Sequence, residues 1–352
     1  MNPAERGLRA VDRFQQAHRP TAFGFGVLKK YGDDRSGQLA ALITYYGFTA
    51  VFPLLLLLTT ALGFVLRGNA SAQKAVLGSA LADFPIIGSQ LTQNVHSLHG
   101  TTLALVIGCL GLLYGSLGIA QILQFAMAQV WNIPGVQRPG YLPRMGRGLL
   151  LIGALGMGLL LSTGTAALVG FLALGPVAWV AGLVGSAVVN TVLYLAAFRI
   201  TTPKTVPLRH LVPGCLVAGP AWTALQTGGG FLVAHELRHA TQVYGFFGTV
   251  LGLLWWIFLS AQITMFAAEA NVVRARRLWP RTLVQPPLNR ADREVLEAIA
   301  EQEERRPEQH VESTFTDFPE PKRESGSEPD PKPESGPGPG SGSGPRPLPP
   351  GR

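Results

Sequence analysis

The chain has 352 residues, of which 47% are hydrophobic and only 14% charged, and its formal net charge is +8. This composition, with a positive mean hydropathy, favours a membrane protein over two ordinary soluble domains. The basic residues border apolar segments, so we expect them to contact lipid headgroups and not nucleic acid. The two cysteines, Cys109 and Cys215, lie in apolar runs, which excludes a disulfide framework or zinc ribbon and predicts two buried thiols.

Residues 1–38 form a basic N-terminal segment. Leu8, Val11 and Phe14 recur at helical spacing, which predicts a partly amphipathic helix on the inner membrane surface. A solvated basic arm is an equally open alternative. The first apolar run comes too late for a signal peptide, so we expect none.

The first predicted transmembrane helix is Leu39–Leu66, which contains no charged residue. Pro53 lies near its middle and is a candidate hinge, because proline removes a helix hydrogen bond. Tyr45 and Thr49 share one face at 100° per residue. We expect that face to point into a helix bundle, where its hydroxyl groups would belong to a transport or structural polar site.

The second predicted span is Thr101–Val130, after a loop at residues 67–100 that is expected to form amphipathic helices. Tyr114, Gln121 and Gln124 lie on one face of this span. This polar stripe has two interpretations. It either forms hydrogen bonds between helices or lines a substrate path.

The third, fourth and fifth spans are predicted at Gly148–Leu172, Val177–Phe198 and Leu211–Ala234. A basic loop with Arg138, Arg144 and Arg147 precedes the third span. The fifth span contains Pro220 and Gly229, which predict an interrupted helix with hinges.

The sixth span is predicted at Tyr244–Ala270, and it carries Glu269 close to its inner end. A carboxylate at a helix C-terminus opposes the helix dipole, so it should have a cationic partner or a function. One interpretation is an ion pair with an arginine of Arg274–Arg277 or of the inner loops. The other is a proton- or cation-coupled transport site that includes Gln262 and Asn271.

Lysines and arginines beside the spans predict the orientation. Seventeen lie on the side of the N-terminus and three on the opposite side, which makes both termini cytoplasmic. The predicted fold is an all-α polytopic membrane protein, a six-transmembrane-helix bundle with a disordered C-terminal tail. Its predicted parts are the basic segment 1–38, the membrane domain 39–271, a charged cytoplasmic helix in 272–306 and the Pro/Gly/Ser-rich tail 307–352.

His235, Glu236 and His239 match the H-E-x-x-H pattern of zinc metalloproteases. A catalytic zinc needs a third protein ligand, which His96 or His99 in the first outer loop could supply. Because the motif is expected in a short loop and not on a long helix with a clear third ligand, we expect no bound metal.

Three blocks of sequence carry a family resemblance: GQLAALITYYGFTAVFPLLLLL, YGSLGIAQILQFAMAQVWNIP and YGFFGTVLGLLWWIFLSAQITMFAAEAN. In this order, across Phe23–Arg277, they resemble the YihY/virulence factor BrkB family, once labelled ribonuclease BN. The resemblance implies a six-span protein of the bacterial inner membrane. The final family block usually reads GAELN, and Glu269 and Asn271 match it here.

The sequence favours a transporter or lipid translocator of unknown substrate in the bacterial cytoplasmic membrane. The alternative is a structural or scaffolding envelope protein whose tail docks a cytoplasmic partner, and a membrane zinc metalloprotease is a remote third. We expect membrane lipids as partners, no nucleic acid, no cofactor and no enzymatic activity. Pairs such as Gly111 with Gly115 permit close helix contacts, within one chain or in a homo-oligomer.

Overall fold

The computed structural model describes residues 3–65, 102–171, 175–235, 237–285 and 288–316, and every regular element in these ranges is helical. Two short helices come first, α1 (Pro3–Ala17) and α2 (Arg19–Asp33). Six helices of 24 to 40 residues follow, and a short helix α9 (Arg290–Glu301) comes last. The long helices are α3 (Ser36–Val65), α4 (Thr102–Val130), α5 (Tyr141–Phe171), α6 (Gly175–Thr201), α7 (Val212–His235) and α8 (Leu237–Arg276).

Three helical segments in the described part of the chain are long and apolar enough to cross a membrane. They are Leu105–Val130, Val180–Thr201 and Val250–Arg276, with mean hydropathies of 1.9, 1.8 and 1.8. The shortest of them has 22 residues, which at 1.5 Å per residue rises about 33 Å and exceeds the hydrocarbon core. The chain is therefore a membrane protein with an all-helical fold.

Helices α3 and α4 pack along a seam of glycines. A Cβ atom added at Gly115 would lie 2.9 Å from the Cβ of Ala50, and one added at Gly111 would lie 3.0 Å from the Cγ of Pro53. Small residues permit this close approach of the two helices. The resulting van der Waals contacts favour their association, because the hydrophobic effect does not drive helices together within lipid. The candidate hinge Pro53 therefore lies inside helix α3, against α4.

The predicted inward face of α3 is wrong at Tyr45. This side chain is 63% exposed, whereas its neighbour Tyr46 contacts the seam beside Gly118. On α4, Tyr114 is 78% exposed, and Cys109 is exposed as well. The prediction of a buried thiol thus holds for Cys215 but not for Cys109. Helical spacing alone could not say which face of a helix a neighbouring helix covers.

Helix α5 begins earlier than the predicted third span. It starts at Tyr141, so Arg144 and Arg147 lie in its first two turns and not in a loop. Pro143 is compatible with this start, because the first N–H groups of a helix have no partner within the helix. Of the predicted basic loop, Arg138 remains outside regular helix.

The predicted interruption of the fifth span is also wrong, since α7 is one continuous helix through Pro220 and Gly229. A backbone donor in hydrocarbon finds no water, so keeping the other helix bonds outweighs the loss at one proline. Gly229 has a packing role instead, because a Cβ atom there would overlap the Trp256 ring of α8. Both candidate hinges of this span thus lie inside a continuous helix.

The basic N-terminal segment packs on the chain that follows α8. Asp12 accepts a hydrogen bond from the Leu283 N–H at 3.0 Å, and Gln15 donates to the Arg281 carbonyl at 2.7 Å. Helix α2 contacts the end of α8, with Gly26 against Leu278. The segment is thus neither a free solvated arm nor independent of the rest of the fold.

Four residues tie these terminal elements together, and we call them the Asp292 cluster: Asp292, Arg281, Lys29 and Thr282. The Asp292 carboxylate accepts from the Arg281 Nε at 2.6 Å, the Lys29 Nζ at 2.8 Å and the Thr282 hydroxyl at 2.5 Å. Burial alone would raise the pKa of Asp292, but the hydrogen bonds from Lys29, Thr282 and Arg281 outweigh it and lower the pKa to about 2. Asp292 also lies in the first turn of α9, where the Asn289 side chain accepts from its N–H at 2.9 Å.

Several predictions fall where the structure gives no description. The predicted amphipathic loop at 67–100 and the tail residues 317–352 lie outside the described residues. His96, His99 and Glu236 also lie outside them, as do the side chains of His235 and His239. The backbone at the two latter positions is helical, at the end of α7 and in α8, and not in the short loop that was predicted.

Candidate functional site

A lysine and two carboxyl groups meet in the interior of the bundle, and we call them the buried triad: Lys30, Asp34 and Glu269. The side chains of all three are 0–1% exposed. Lys30 comes from α2, Asp34 from the turn after it, and Glu269 from the last two turns of α8. Charged side chains are rarely buried this completely, because removing each from water is costly unless another charge compensates it.

The local sequence explains how the first two members come together. Lys30 and Asp34 are four residues apart, the spacing at which helical side chains meet, and they form an ion pair. Arg35 then adopts a left-handed conformation with φ 55°. This reverses the chain so that α3 begins at Ser36, directly beside the pair. The turn therefore delivers a cation, an acid and a hydroxyl to one place.

Glu269 joins this group from α8. Its Oε1 accepts a hydrogen bond from the Ser36 hydroxyl at 2.5 Å, and its Oε2 lies 3.8 Å from the Lys30 Nζ. Lys30 also donates to the Val130 carbonyl at the C-terminus of α4, at 3.1 Å. The predicted arginine partner of Glu269 is therefore wrong. The cation comes from the N-terminal segment, and Arg276 instead donates to the Trp131 carbonyl at 2.6 Å.

The formal charges of the triad do not cancel. One ammonium faces two carboxyl groups, so the site would carry a net charge of −1 if both acids were ionised. Asp34 Oδ1 and Glu269 Oε2 are buried, and no hydrogen-bond donor reaches either within the described part of the chain. Burial raises the pKa of Asp34, while the Lys30 ammonium lowers it by a smaller amount. The arrangement can thus hold a proton on one of the two acids.

Tyr31 and Gln262 border the triad. The Tyr31 hydroxyl donates to the Gln262 Oε1 at 2.6 Å, and its ring stacks on Phe266 with centroids 4.1 Å apart. Burial and the nearby Glu269 carboxyl both raise the pKa of Tyr31. Tyr31 therefore adjoins both Gln262 and Glu269, which are two turns apart on α8, whereas Trp255, seven residues before Gln262, is exposed.

Asn271 is fully buried but has a different partner. Its Oδ1 accepts from the Gly214 N–H at 2.6 Å. Gly214 lies in the first turn of α7, where backbone N–H groups lack a partner within the helix. Asn271 thus caps α7 from α8. A Cβ atom at Gly214 would overlap the Ala267 carbonyl and the Asn271 amide, so this contact needs glycine.

The other predicted polar residues do not gather at the triad. Gln124 is buried, and it donates to the Arg144 carbonyl at 3.0 Å, which ties α4 to the start of α5. Gln121 is half-buried. Thr49 donates to the Tyr45 carbonyl of its own helix at 2.8 Å. Of the eight predicted polar residues, Glu269 belongs to the triad, Gln262 accepts a hydrogen bond from Tyr31, and Asn271 lies two residues after Glu269 on α8.

Sequence reasoning missed Lys30, Asp34 and Ser36. They lie in a segment that reads as a basic cytoplasmic arm, and the signal present in it was the four-residue spacing of Lys30 and Asp34. A polar contact between α6 and α7 was missed as well. There, the buried Asn190 amide donates to the Thr223 hydroxyl at 2.9 Å and to the Gln226 Oε1 at 3.2 Å.

Comparison with known proteins decides the family. The family model described as virulence factor BrkB matches residues 27–291. The chain belongs to the virulence factor BrkB family. The match runs from α2 to the start of α9, so it includes the buried triad and Asn271.

Two relatives of this BrkB-family chain are named as membrane proteins. A UPF0761 membrane protein of Xanthomonas axonopodis pv. citri (strain 306) is 24% identical over 298 residues, covering 78% of this chain and 67% of the relative. A UPF0761 membrane protein of Xanthomonas oryzae pv. oryzae (strain PXO99A) is 22% identical over 287 residues, covering 78% and 66%. The chain thus spans about two thirds of the length of the relatives it matches. No solved structure matches it.

Proposed function

We propose that this BrkB-family protein is a transporter or lipid translocator of the bacterial cytoplasmic membrane, and that the buried triad carries a proton linked to the transported molecule. The observation that supports it is the charge of the triad. One lysine faces two acids in a site closed to water, so a proton that binds and leaves would change the site between net charges of 0 and −1.

The position of the triad supports this proposal too. It joins α2, α3, α4 and α8, because Lys30 contacts the end of α4 and Ser36 begins α3. A change of charge here alters contacts to several long helices at once. A bound ion can shift a conformational equilibrium only if its contacts differ between the two conformations.

We further propose a six-span topology with both termini in the cytoplasm. The six long helices match the six predicted apolar segments in order, and three of them contain segments that meet the length and hydropathy needed to cross a bilayer. The excess of lysines and arginines on the side of the N-terminus supports the orientation. We assign no enzymatic reaction to the protein.

Reconstitution tests the transport proposal. The purified protein is placed in liposomes that contain a pH-sensitive dye. A potassium diffusion potential drives proton entry, which is measured in the presence of each solute of a panel. Fluorescent-lipid scrambling is followed in parallel. We expect flux from the parent, and we expect Glu269→Gln to reduce it to the rate of empty liposomes, because a neutral amide cannot release a proton.

Glu297→Gln is the matched control, since Glu297 is exposed on α9 and outside the triad. We expect this variant to transport like the parent. Comparable size-exclusion profiles show that each variant is folded. Full flux in Glu269→Gln would refute the role of the triad. A folded parent that moves neither protons, solutes nor lipids would instead favour the scaffolding alternative.

A further inference from the structure

Helix α1 presents an apolar face that nothing covers in the described part of the chain. Leu8, Val11 and Phe14 are 50%, 57% and 61% exposed. The helix itself is fixed in place towards its C-terminal end, where Asp12 and Gln15 are buried against residues 281–283. A helix that is anchored by two polar side chains while it exposes three large apolar ones is built to bury the latter against something else.

The anchoring contacts place α1 level with the ends of the long helices. Asp12 binds the Leu283 N–H, and Lys29 of α2 donates to the adjoining Thr282 carbonyl at 2.7 Å. The next residue, Lys30, donates to the carbonyl of Val130, where the candidate membrane span Leu105–Val130 ends. Helix α1 is therefore held where a membrane helix leaves the bilayer.

The charge around the apolar face identifies the partner. Arg6, Arg9 and Arg13 are exposed on α1. At about 100° per residue, Leu8, Val11 and Phe14 span about 120°, and Arg6, Arg9 and Arg13 lie about 140–160° from the centre of this face, on the opposite side of the helix. A helix lying in the membrane interface turns its apolar side to the acyl chains and its basic side to the headgroups. An anionic lipid surface offers hydrocarbon for the apolar side chains and phosphates for the arginines.

We propose that α1 is an interfacial docking helix that inserts Leu8, Val11 and Phe14 among the acyl chains of anionic phospholipids, with Arg6, Arg9 and Arg13 on their phosphates. The inference is independent of transport. Each arginine near an anionic surface strengthens binding about fivefold, so the three together contribute up to about a hundredfold.

The test uses the full-length protein in nanodiscs. In a Cys109→Ser background, Val11→Cys carries an environment-sensitive fluorophore, and Gln16→Cys is the matched control, because it lies about 140° from the centre of the apolar face on the helical wheel. Cys215 is buried and stays in place. The nanodiscs contain phosphatidylcholine alone or mixed with phosphatidylglycerol, and a lipid with a shallow acyl-chain spin label acts as the quencher.

We expect quenching at position 11, stronger in the anionic nanodiscs, and little quenching at position 16. Replacing Arg6, Arg9 and Arg13 with glutamine should remove the difference between the two lipid compositions. Equal quenching at both positions would overturn the proposal. Quenching that is independent of anionic lipid would overturn it too, as would self-quenching between two labelled chains, which indicates a second copy as the partner.

Discussion

The Glu269 carboxyl of α8 lies 3.8 Å from the Lys30 ammonium of α2, and neither side chain reaches water. Lys30 belongs to a segment that precedes the first long helix, so the last long helix is electrostatically tied to the beginning of the chain. Each group compensates the cost of burying the other. Removing one should therefore be more harmful than removing both.

Lys30→Met tests this dependence. The variant leaves Asp34 and Glu269 without their cation, and we expect a loss of about 3–5 kcal/mol in stability, as for other broken buried ion pairs. Adding Glu269→Gln should restore part of the loss, because fewer uncompensated charges remain. Thermal unfolding of the detergent-purified protein measures both variants. Lys204→Met, at an exposed lysine, is the control, and a loss in this control as large as that in Lys30→Met would contradict the prediction.

The pH dependence of stability should carry a signature of Asp34. Burial raises the pKa of Asp34 in the folded protein, so the folded state binds this proton more tightly than the unfolded chain does. Asp34 therefore contributes stability at low pH that is lost as the pH rises through its folded pKa. Melting temperatures across the acid-to-neutral range should decline less steeply in Asp34→Asn than in the parent, and identical slopes would show that Asp34 does not titrate in this way.

Asp292 should behave in the opposite direction. Its pKa is lowered to about 2 by its hydrogen bonds, so it contributes stability above its ordinary value of 3.8 and loses it as the pH falls toward about 2. Asp292→Asn should lower the melting temperature at neutral pH, and its difference from the parent should shrink in acid. Glu301→Gln, at the exposed end of α9, should match the parent throughout. A difference that stays constant with pH would rule out this role for the Asp292 charge.

Gly214→Ala tests the close approach of α7 and α8. The added methyl group would meet the Ala267 carbonyl and the Asn271 amide, so we expect a loss of about 1–3 kcal/mol from overpacking. Gly153→Ala is the matched control, because nothing lies within 4 Å of a Cβ there, and a helical glycine replaced by alanine should gain about 0.5–1 kcal/mol. The same unfolding assay applies. Similar stabilities of the two variants would show that the contact is loose.

The sequence predicted the long helices, because long apolar runs are local signals, and it singled out Glu269 as a rare acid beside one of them. It could not identify Lys30 as the partner of Glu269, since the four-residue spacing of Lys30 and Asp34 is shared by Lys29 and Asp33 and says nothing about contacts to a distant helix. The inward orientation predicted for Tyr45 failed for a similar reason. Both faces of α3 are apolar enough to pack against another helix, and the glycines of α4 determine which face is covered. The interruption predicted at Pro220 was wrong because one proline lowers the stability of a helix but does not have to break it where the backbone has no access to water.

The Asp292 cluster has a consequence for the order of synthesis. Lys29 leaves the ribosome early, but its partner Asp292 lies 263 residues later. At about 5–20 residues per second, this interval lasts roughly 13–50 s. During that time Lys29 and Asp33 are without the contacts that Thr282, Asp292 and Arg281 provide in the folded protein. The N-terminal helices can therefore complete their native contacts only after every long helix has been made. In a prematurely terminated chain, these helices would lack those contacts.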